Sequence, residues 1–233
     1  MTHILLTGSS RGIGAAIAAT LAARPDTRLV GHGTASGIAA NFDDPHAPAQ
    51  LWATALDALD GRIDVLVNNA GVFEAAPLDL EDEAWLASWE RTMRINLTAS
   101  AALCRLAVKH WQGRGAGGRI VNIASRAAYR GDSPAHWHYA ASKAGMVAMT
   151  KTIARGYARD GVLAFAICPG FTMTGMAEDY LASRGGDKLL ADIPLGRVAM
   201  PDEVAAIARF CAFDAPPSMT GAVLDVNGAS YVR

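Results

Sequence analysis

The chain has 233 residues, of which 51% are hydrophobic and 18% charged, with a formal net charge of -1. This length and composition predict one compact domain with a large core. The near-zero net charge provides neither a basic surface for a nucleic acid nor a polybasic segment for a membrane, so a small molecule is the expected partner.

Cysteine content and the first residues of the chain bear on where the protein works. The three cysteines, Cys104, Cys168 and Cys211, lie in apolar surroundings, which favours free core thiols in a reducing compartment over a disulfide framework. The first strand-like run begins near Thr2 and leaves no room for a signal peptide. Since no apolar stretch approaches the roughly 20 residues that a membrane helix needs, we expect a cytoplasmic protein.

Short apolar runs rich in β-forming residues alternate with longer helical patterns. The predicted strands are Ile4 to Thr7, Arg28 to Gly31, Ala39 to Phe42, Val65 to Asn68, Arg119 to Ile123, Ala164 to Cys168 and Val223 to Val226. The predicted helices are Arg11 to Ala23, Pro48 to Leu59, Glu81 to Gln112, Tyr139 to Arg159 and Asp202 to Phe213. This alternation predicts an α/β fold in which residues 1–233 form a single doubly wound domain, with a mostly parallel seven-stranded sheet and helices on both faces.

The connection between the second and third predicted strands is unusually short. It runs from His32 to Ile38 and is rich in glycine, alanine and serine. No helix fits there, whereas a parallel crossover usually takes about a dozen residues or more. Either the third strand is displaced in the sheet, or the connection is a tight loop that leaves one face of the sheet less covered.

A glycine-rich turn follows the first predicted strand and opens the first helix. Its sequence is Thr7-Gly8-Ser9-Ser10-Arg11-Gly12-Ile13-Gly14. Glycines let the backbone approach a diphosphate closely, and the helix N-terminus offers unpaired N–H groups and a partial positive charge. In this context the turn predicts dinucleotide binding, although its Gly-x3-Gly-x-Gly spacing differs from the common Gly-x-Gly-x-x-Gly.

The second predicted strand ends without an acidic residue, in Leu29-Val30-Gly31-His32-Gly33-Thr34. An acid there would bind the adenosine ribose and repel a 2′-phosphate. Arg11 stands in the glycine turn, and a guanidinium suits a phosphate. We therefore expect NADP(H). In the alternative, Arg11 points to solvent and the short connection rearranges the adenosine end.

Three polar side chains form a candidate catalytic group. Tyr139 and Lys143 are four residues apart on a predicted helix and therefore share one face. Reduction of a carbonyl needs a proton donor at its oxygen, and an ammonium beside a phenol lowers the phenol's pKa from its usual value near 10. Ser125 ends the fifth predicted strand, at the sheet edge where open α/β proteins bind ligands. Tyr-x3-Lys alone is common on helix surfaces, so these companions decide the interpretation.

Three motifs in this order resemble those of the short-chain dehydrogenase/reductase family. They are Thr7 to Gly14, Asn68-Asn69-Ala70-Gly71 and Tyr139-Ala140-Ala141-Ser142-Lys143, and they span most of the chain. With Pro169-Gly170-Phe171, they look most similar to 3-oxoacyl-[acyl-carrier-protein] reductases. The resemblance implies hydride transfer between NADP(H) and a carbonyl or secondary alcohol, with a 3-oxoacyl thioester as one candidate substrate. It also implies a homo-oligomer, a tetramer or a dimer.

The resemblance also assigns roles to individual residues. Ser125, Tyr139, Lys143 and Asn96 would be catalytic, with Asn96 either holding a relay water or serving as a satisfied core amide. The implied cofactor-binding residues are Gly8, Ser10, Arg11, Gly12, Ile13, Gly14, Thr34, Asn41, Phe42, Asn69, Ala70, Gly71, Tyr139, Lys143, Pro169, Gly170, Phe171 and Thr174, with Thr172 as a weaker candidate. No metal site is expected, because the histidines lack metal-ligand spacing.

Two segments near the catalytic group bear on the substrate. The stretch from Thr172 to Leu190, with Met176 and the Gly185-Gly186 pair, predicts a mobile flap, or alternatively a plain pair of surface helices. In the segment from Arg126 to His138, two arginines could meet an anionic substrate group and two aromatic side chains could pack against it. These four residues, Arg126, Arg130, His136 and Trp137, could equally stabilise the loop or contact another subunit.

Trp85 and Trp89 indicate an interface or core stripe on one helix.

Two other functions remain open at this point. A non-catalytic NADP(H)-sensing regulator could share the fold, but such a protein would normally lack the tyrosine, the lysine or the serine. An epimerase or dehydratase of the extended branch would usually have a longer substrate domain and a different glycine spacing.

Overall fold

A single parallel sheet forms the centre of the computed structural model, which describes residues 1–34, 36–174 and 186–233. The strands described are β1 (Thr2–Thr7), β2 (Thr27–Gly33), β3 (Ile38–Ala39), β4 (Val65–Asn68), β5 (Gly118–Ile123), β6 (Val162–Pro169) and β7 (Val223–Val226). Their order in the sheet is β3-β2-β1-β4-β5-β6-β7. Every neighbouring pair in this sheet is parallel, so the predicted fold class is confirmed, with a sheet that is fully rather than mostly parallel.

Helices cover both faces of the sheet. They are α1 (Gly12–Ala22), α2 (Ala47–Ala58), α3 (Asp82–Met93), α4 (Ala99–Arg114), α5 (Ala127–Arg130), α6 (Trp137–Tyr157), α7 (Gly186–Ala191) and α8 (Pro201–Arg209). Successive side chains of a strand point to opposite faces, so Leu5 packs in the core under α2 and α4, while Ile4 and Leu6 pack in the core under α1 and α8. The buried faces of these helices fix the sheet between two apolar layers. No described helix is long and apolar enough to cross a membrane.

Each of three apolar clusters contains one cysteine. Cys104 lies in the cluster under α2 and α4, Cys211 in the cluster under α1 and α8, and Cys168 in a smaller cluster with Met146 and Val147 of α6. All three thiols are buried and free. The expectation of core thiols without a disulfide is confirmed.

The short connection after β2 is a tight loop. Strands β2 and β3 are neighbours in the sheet, with His32 opposite Ile38, so the alternative of a displaced strand is wrong. The predicted strand from Ala39 to Phe42 is also wrong, because β3 is only two residues long. The chain turns immediately afterwards, where the N–H of Asp44 donates to the carbonyl of Asn41 at 3.0 Å.

The predicted long helix is continuous but not uniform. Between α3 and α4 it contains a wider π-helical turn, Arg94–Thr98, a rare geometry that is frequent at functional sites. Asn96 lies in this turn and is completely buried. The helix ends at Arg114. Gly115, just beyond it, takes the left-handed conformation with φ 60°, as expected of a glycine at this position.

The remaining helix predictions differ from the structure mainly at their ends. α6 begins two residues earlier than predicted, and α8 ends at Arg209, where a second π-helical turn, Phe210–Asp214, continues the chain. The short helix α5 was not predicted, whereas α7 lies at the end of the stretch for which a pair of surface helices was one alternative.

Candidate active site

Four segments meet at the carboxyl edge of the sheet, the edge at which its parallel strands end. They are the glycine turn after β1, residues 69–71 after β4, Ser125 after β5 and residues 170–174 after β6. Neighbouring strands β1, β4, β5 and β6 carry them side by side. Ligands of open α/β sheets bind at this edge.

The glycine turn packs directly against the segment after β4. A Cβ atom on Gly8 would lie 2.8 Å from the Cα of Ala70, and one on Gly14 would lie 1.8 Å from the carbonyl oxygen of Gly8. The side-chain amide of Asn69 donates to the carbonyls of Gly8 at 2.8 Å and Thr7 at 3.2 Å. The turn therefore requires glycine at both positions, and Asn69 fixes its shape.

The N-terminus of α1 opens toward the same edge. Arg11 precedes the helix in an extended conformation, its side chain is exposed and does not cap the helix, and the first turn contains no acidic residue. The Arg11 side chain therefore caps none of the first N–H groups of the helix, which lie at the positive end of the helix dipole. A Cβ on Gly12 would lie 3.0 Å from Thr174 Cγ2, so the segment after β6 reaches the glycine turn. This narrow backbone cradle with a helix dipole fits a diphosphate.

The structure brings together the three predicted catalytic side chains. The Ser125 side chain lies beside the Tyr139 phenol and opposes the effect of burial on the pKa of that phenol. Lys143 Nζ donates to the carbonyl of Ile123 at 2.8 Å and lies 5.8 Å from the centroid of the Tyr139 ring. Ser125 Oγ accepts the N–H of Ala127 at 3.1 Å, which holds its hydroxyl in place. The serine, the phenol and the ammonium therefore lie together at the carboxyl edge of the sheet.

Burial shifts the pKa values of the phenol and the ammonium in opposite directions. It raises the pKa of Tyr139 to about 12, against the opposing effect of the Ser125 side chain. It lowers the pKa of Lys143 to about 8. The net shift of the Tyr139 pKa is therefore upward, opposite to the expected lowering by the ammonium, because desolvation is the largest effect on this phenol. The phenol is protonated at neutral pH, as a proton donor must be.

Asn96 supports the segment after β4 through its side chain. Its Oδ1 accepts the N–H of Val72 at 2.8 Å, and its Nδ2 donates to the carbonyl of Val72 at 3.0 Å and to Ser142 Oγ at 3.2 Å. A Cβ on Gly71 would lie 3.2 Å from Asn96 Oδ1 and 3.6 Å from Lys143 Nζ. The side chain is thus a satisfied core amide, and its relay role stays a prediction.

The residues assigned to the adenosine end differ in exposure. Ser10, Thr34 and Asn41 are exposed, and Ile13 is partly buried. Phe42 is buried because its ring stacks on His32, with 4.5 Å between the ring centroids. One face of the predicted adenine-flanking ring is therefore already covered.

The segment after β6 is held by its own backbone bonds. The N–H of Gly170 donates to the carbonyl of Val226 at 2.9 Å, and the carbonyl of Phe171 accepts the N–H of Ala199 at 2.9 Å. The buried side chain of Thr172 donates to the carbonyl of Gly170 at 3.1 Å. Thr172, the weaker candidate, thus turns inward.

The predicted flap is only partly within the described residues. Positions 175–185, which include Met176 and Gly185, lie outside them, and Gly186 begins α7.

Sequence analysis did not single out Phe73, which lies beside the catalytic group. Its ring stacks on His136 with centroids 3.9 Å apart and meets the Tyr139 ring edge-on at 4.8 Å. An aromatic residue two positions after Asn-Asn-Ala-Gly was the signal that could have indicated it. His136 thus packs against a ring next to Tyr139, and its contact with a substrate stays a prediction.

The other side chains of the Arg126 to His138 segment take part in loop contacts. Arg130 and Arg126 share the carboxylate of Asp192, at 2.6 and 3.8 Å. Trp137 is 53% exposed and meets Trp85 edge-on. Arg130 therefore stabilises the loop, whereas Trp137 leaves an apolar surface in solvent.

Comparisons with known proteins agree with this geometry. The family model described as enoyl-(acyl carrier protein) reductase matches residues 14–229. A 3-oxoacyl-[acyl-carrier-protein] reductase of Synechocystis sp. is 37% identical, over 96% of this chain and 94% of the relative. D-threitol dehydrogenase of Mycolicibacterium smegmatis is also 37% identical, over 98% of this chain and 92% of the relative.

Solved structures show the same similarity. One is a protein from Agrobacterium tumefaciens, provisionally assigned as a 2-deoxy-D-gluconate 3-dehydrogenase and solved with bound NADP. It superposes with a TM-score of 0.88 at 29% identity, covering 100% of this chain and 97% of its own. The chain belongs to the short-chain dehydrogenase/reductase family of oxidoreductases.

Proposed function

We propose that this oxidoreductase transfers a hydride between NADP(H) and a carbonyl or secondary alcohol carbon. The observation that carries the proposal is the grouping of Ser125 and Tyr139 with the buried ammonium of Lys143, whose Nζ lies 5.8 Å from the centroid of the Tyr139 ring. These groups lie at the same sheet edge as the glycine turn. A sensor that had lost catalysis would not be expected to keep all three side chains in contact.

Several features of the chain support NADP(H) as the cofactor. The backbone of the Gly8 to Gly14 turn would hold the diphosphate, because only glycine leaves the space at its two ends. No acidic residue ends β2 to repel a 2′-phosphate, and the exposed Arg11 can reach one. A solved structure that superposes on this chain with a TM-score of 0.88 contains bound NADP. When bound, the cofactor supplies the hydride.

The chain's own residues handle the proton and the orientation of the substrate. The Ser125 hydroxyl donates a hydrogen bond to the substrate oxygen and positions it beside Tyr139. The Tyr139 phenol, kept neutral by burial, gives its proton to that oxygen during reduction and takes one back during oxidation. The Lys143 ammonium stabilises the phenolate left after proton transfer, and the carbonyl of Ile123 holds the ammonium in place.

The variant Tyr139→Phe tests the proton donor directly. It keeps the ring and its contact with Phe73 but loses the hydroxyl, so we expect turnover to fall by roughly 10²-fold to 10⁴-fold. NADPH binding, measured by fluorescence titration, should change little. Tyr157→Phe, at the partly exposed far end of α6, is the matched control. Turnover retained in Tyr139→Phe would rule out the phenol as the proton donor.

We further propose 3-oxoacyl thioesters as the first substrate class to test, because several relatives are named as 3-oxoacyl-[acyl-carrier-protein] reductases. Polyols and sugar acids are the second, since other relatives are named as a D-threitol dehydrogenase and a 2-deoxy-D-gluconate 3-dehydrogenase. Initial rates with each class, followed by NADPH absorbance, compare kcat/KM directly. A higher kcat/KM for polyols would overturn the thioester assignment.

We also propose that the protein forms a homo-oligomer, a dimer or a tetramer. Its support is an apolar surface shared by α3 and α6: Leu86 is 51% and Trp137 53% exposed, beside the stacked rings of Trp85 and Trp89. Exposed apolar patches of this kind mark interaction sites on soluble proteins.

A further inference from the structure

The ring of His32 connects two parts of the candidate cofactor site. His32 is next to last in β2 and is only 3% exposed. Its Nδ1 lies 3.3 Å from the backbone nitrogen of Gly8, and its Nε2 lies 3.0 Å from the carbonyl oxygen of Ala40. The ring of Phe42 covers one of its faces. One imidazole therefore contacts both the glycine turn and the chain segment that leads to the adenosine end.

The two partners fix the chemical state of the ring. A carbonyl oxygen can only accept, so the proton must be on Nε2, where it is donated to Ala40. The lone pair on Nδ1 then accepts the N–H of Gly8. Only the neutral imidazole with this proton position satisfies both partners. Burial favours that state, because it lowers the pKa of His32.

The backbone of His32 holds the next residue of the turn. Its carbonyl oxygen accepts the N–H of Ser9 at 2.9 Å and the hydroxyl of Ser9 at 3.2 Å. A Cβ on the preceding residue, Gly31, would lie 2.3 Å from Ser9 Oγ, so this close approach needs glycine there. The end of β2 is thus built to receive the glycine turn.

The short connection after β2 explains why a polar ring is useful at this position. Without a helix between β2 and β3, the loop folds back on the strand, and a Cβ on Gly37 would lie 2.2 Å from the carbonyl oxygen of Gly31. The ring of His32 links Gly8 of the glycine turn to Ala40, which follows this loop.

We propose that His32 is a positioning residue for the cofactor, which holds the diphosphate-binding turn in register with the adenosine-binding segment. This inference rests on the proposed NADP(H) function. His32 lies at the cofactor-binding end of the site, whereas Tyr139 and Lys143 lie on α6. Its loss should therefore weaken cofactor binding and leave turnover at saturating NADPH unchanged.

Two substitutions separate the two hydrogen bonds. The amide of asparagine reaches about as far as Nδ1, and the amide of glutamine about as far as Nε2. His32→Asn can therefore keep an acceptor for Gly8, whereas His32→Gln keeps a donor for Ala40 and leaves the N–H of Gly8 without its acceptor. We expect the NADPH Kd to rise in both variants, because each breaks one half of the link, and by about tenfold in His32→Gln, with kcat unchanged in both.

A buried histidine at the opposite edge of the sheet gives a matched control. His3, at the amino end of β1, is 8% exposed and has its Nδ1 3.3 Å from Asp64 Oδ2. His3→Asn perturbs a buried ring far from the turn, so thermal unfolding should change while the NADPH Kd should not. Thermal unfolding of all three variants shows that each is folded at the titration temperature.

The outcomes of the titration are distinct. A wild-type protein that does not bind NADPH would remove the proposed function and this inference with it. Wild-type binding together with an unchanged Kd in His32→Gln would remove the inference alone. It would also be overturned if the His3 variant lost as much affinity, or if kcat at saturating NADPH fell in step with affinity.

Discussion

At the scale of single residues, the half-buried phenol of Tyr139 and the buried ammonium of Lys143 make the chemistry sensitive to pH. Burial lowers the pKa of Lys143 to about 8, so its charged form is present below that pH and is lost as the pH rises through it. The phenol, with its pKa raised to about 12, stays protonated over the same range. The ammonium is therefore the first of the two groups to change its charge on the alkaline side.

We expect the rate of carbonyl reduction at saturating NADPH to fall as the pH rises through about 8, because the phenolate left on Tyr139 loses its neighbouring charge. The measurement is a pH–rate profile of kcat, with unfolding followed at each pH. A rate that stays level through about pH 10 in the folded protein would contradict a role for the charged lysine.

The sequence allowed prediction of residues that belong to recognisable motifs. Tyr139 and Lys143 share a helix face, and Ser125 ends a recognisable strand, so these three companions together predicted the catalytic group. The contact of His32 with the glycine turn was not predicted, because its partner Gly8 lies 24 positions away in the chain. Phe73 contacts Tyr139 across an even longer separation, which no local pattern encodes.

At the scale of elements, the first helix depends on close contact between backbones. A Cβ on Gly14 of α1 would lie 1.8 Å from the carbonyl oxygen of Gly8, so Gly14→Ala must push the helix away from the turn. We expect this variant to lose about 1 to 3 kcal/mol of unfolding free energy and to bind NADPH more weakly. Denaturant unfolding and NADPH titration measure the two effects.

Gly156, in α6, is the matched control because no atom lies within 4 Å of a Cβ placed there. Gly156→Ala should raise the unfolding free energy by about 0.5 to 1 kcal/mol, since alanine favours a helix over glycine. If the two alanine variants had equal stabilities, the contact between the helix and the turn would be unimportant.

The π-helical turn was not predicted, although the helix that contains it was. Hydrophobic periodicity correctly predicted a helical run from Glu81 to Gln112, since that pattern depends on neighbouring residues. The extra residue in the turn depends on bonds from Asn96 to Val72, which is 24 positions earlier. The bounds of β3 were predicted wrongly for a similar reason, because the strand ends at the turn at Asn41 rather than where the apolar residues end.

At the scale of the whole molecule, the surface shared by α3 and α6 predicts how copies associate. Size-exclusion chromatography with light scattering should give a mass two or four times that of the 24.4 kDa chain. Leu86→Glu places a charge at an exposed apolar position of α3 and should reduce that mass, because a buried unpaired charge opposes association.

Ala206→Glu, at an exposed position of α8, adds the same charge away from the surface and should leave the mass unchanged. A monomeric wild-type protein would contradict the oligomer. An unchanged mass for Leu86→Glu would instead place the contact on a different face.

The distribution of the cysteines provides a set of internal reporters. Because Cys104, Cys168 and Cys211 each lie in a different apolar cluster, a thiol reagent can modify each one only when its own region opens. In variants that retain one cysteine, labelling rates would give three separate opening equilibria within a single domain. Cys168 lies at the end of β6, next to the segment that borders the candidate site, so NADPH should slow its labelling more than that of Cys211.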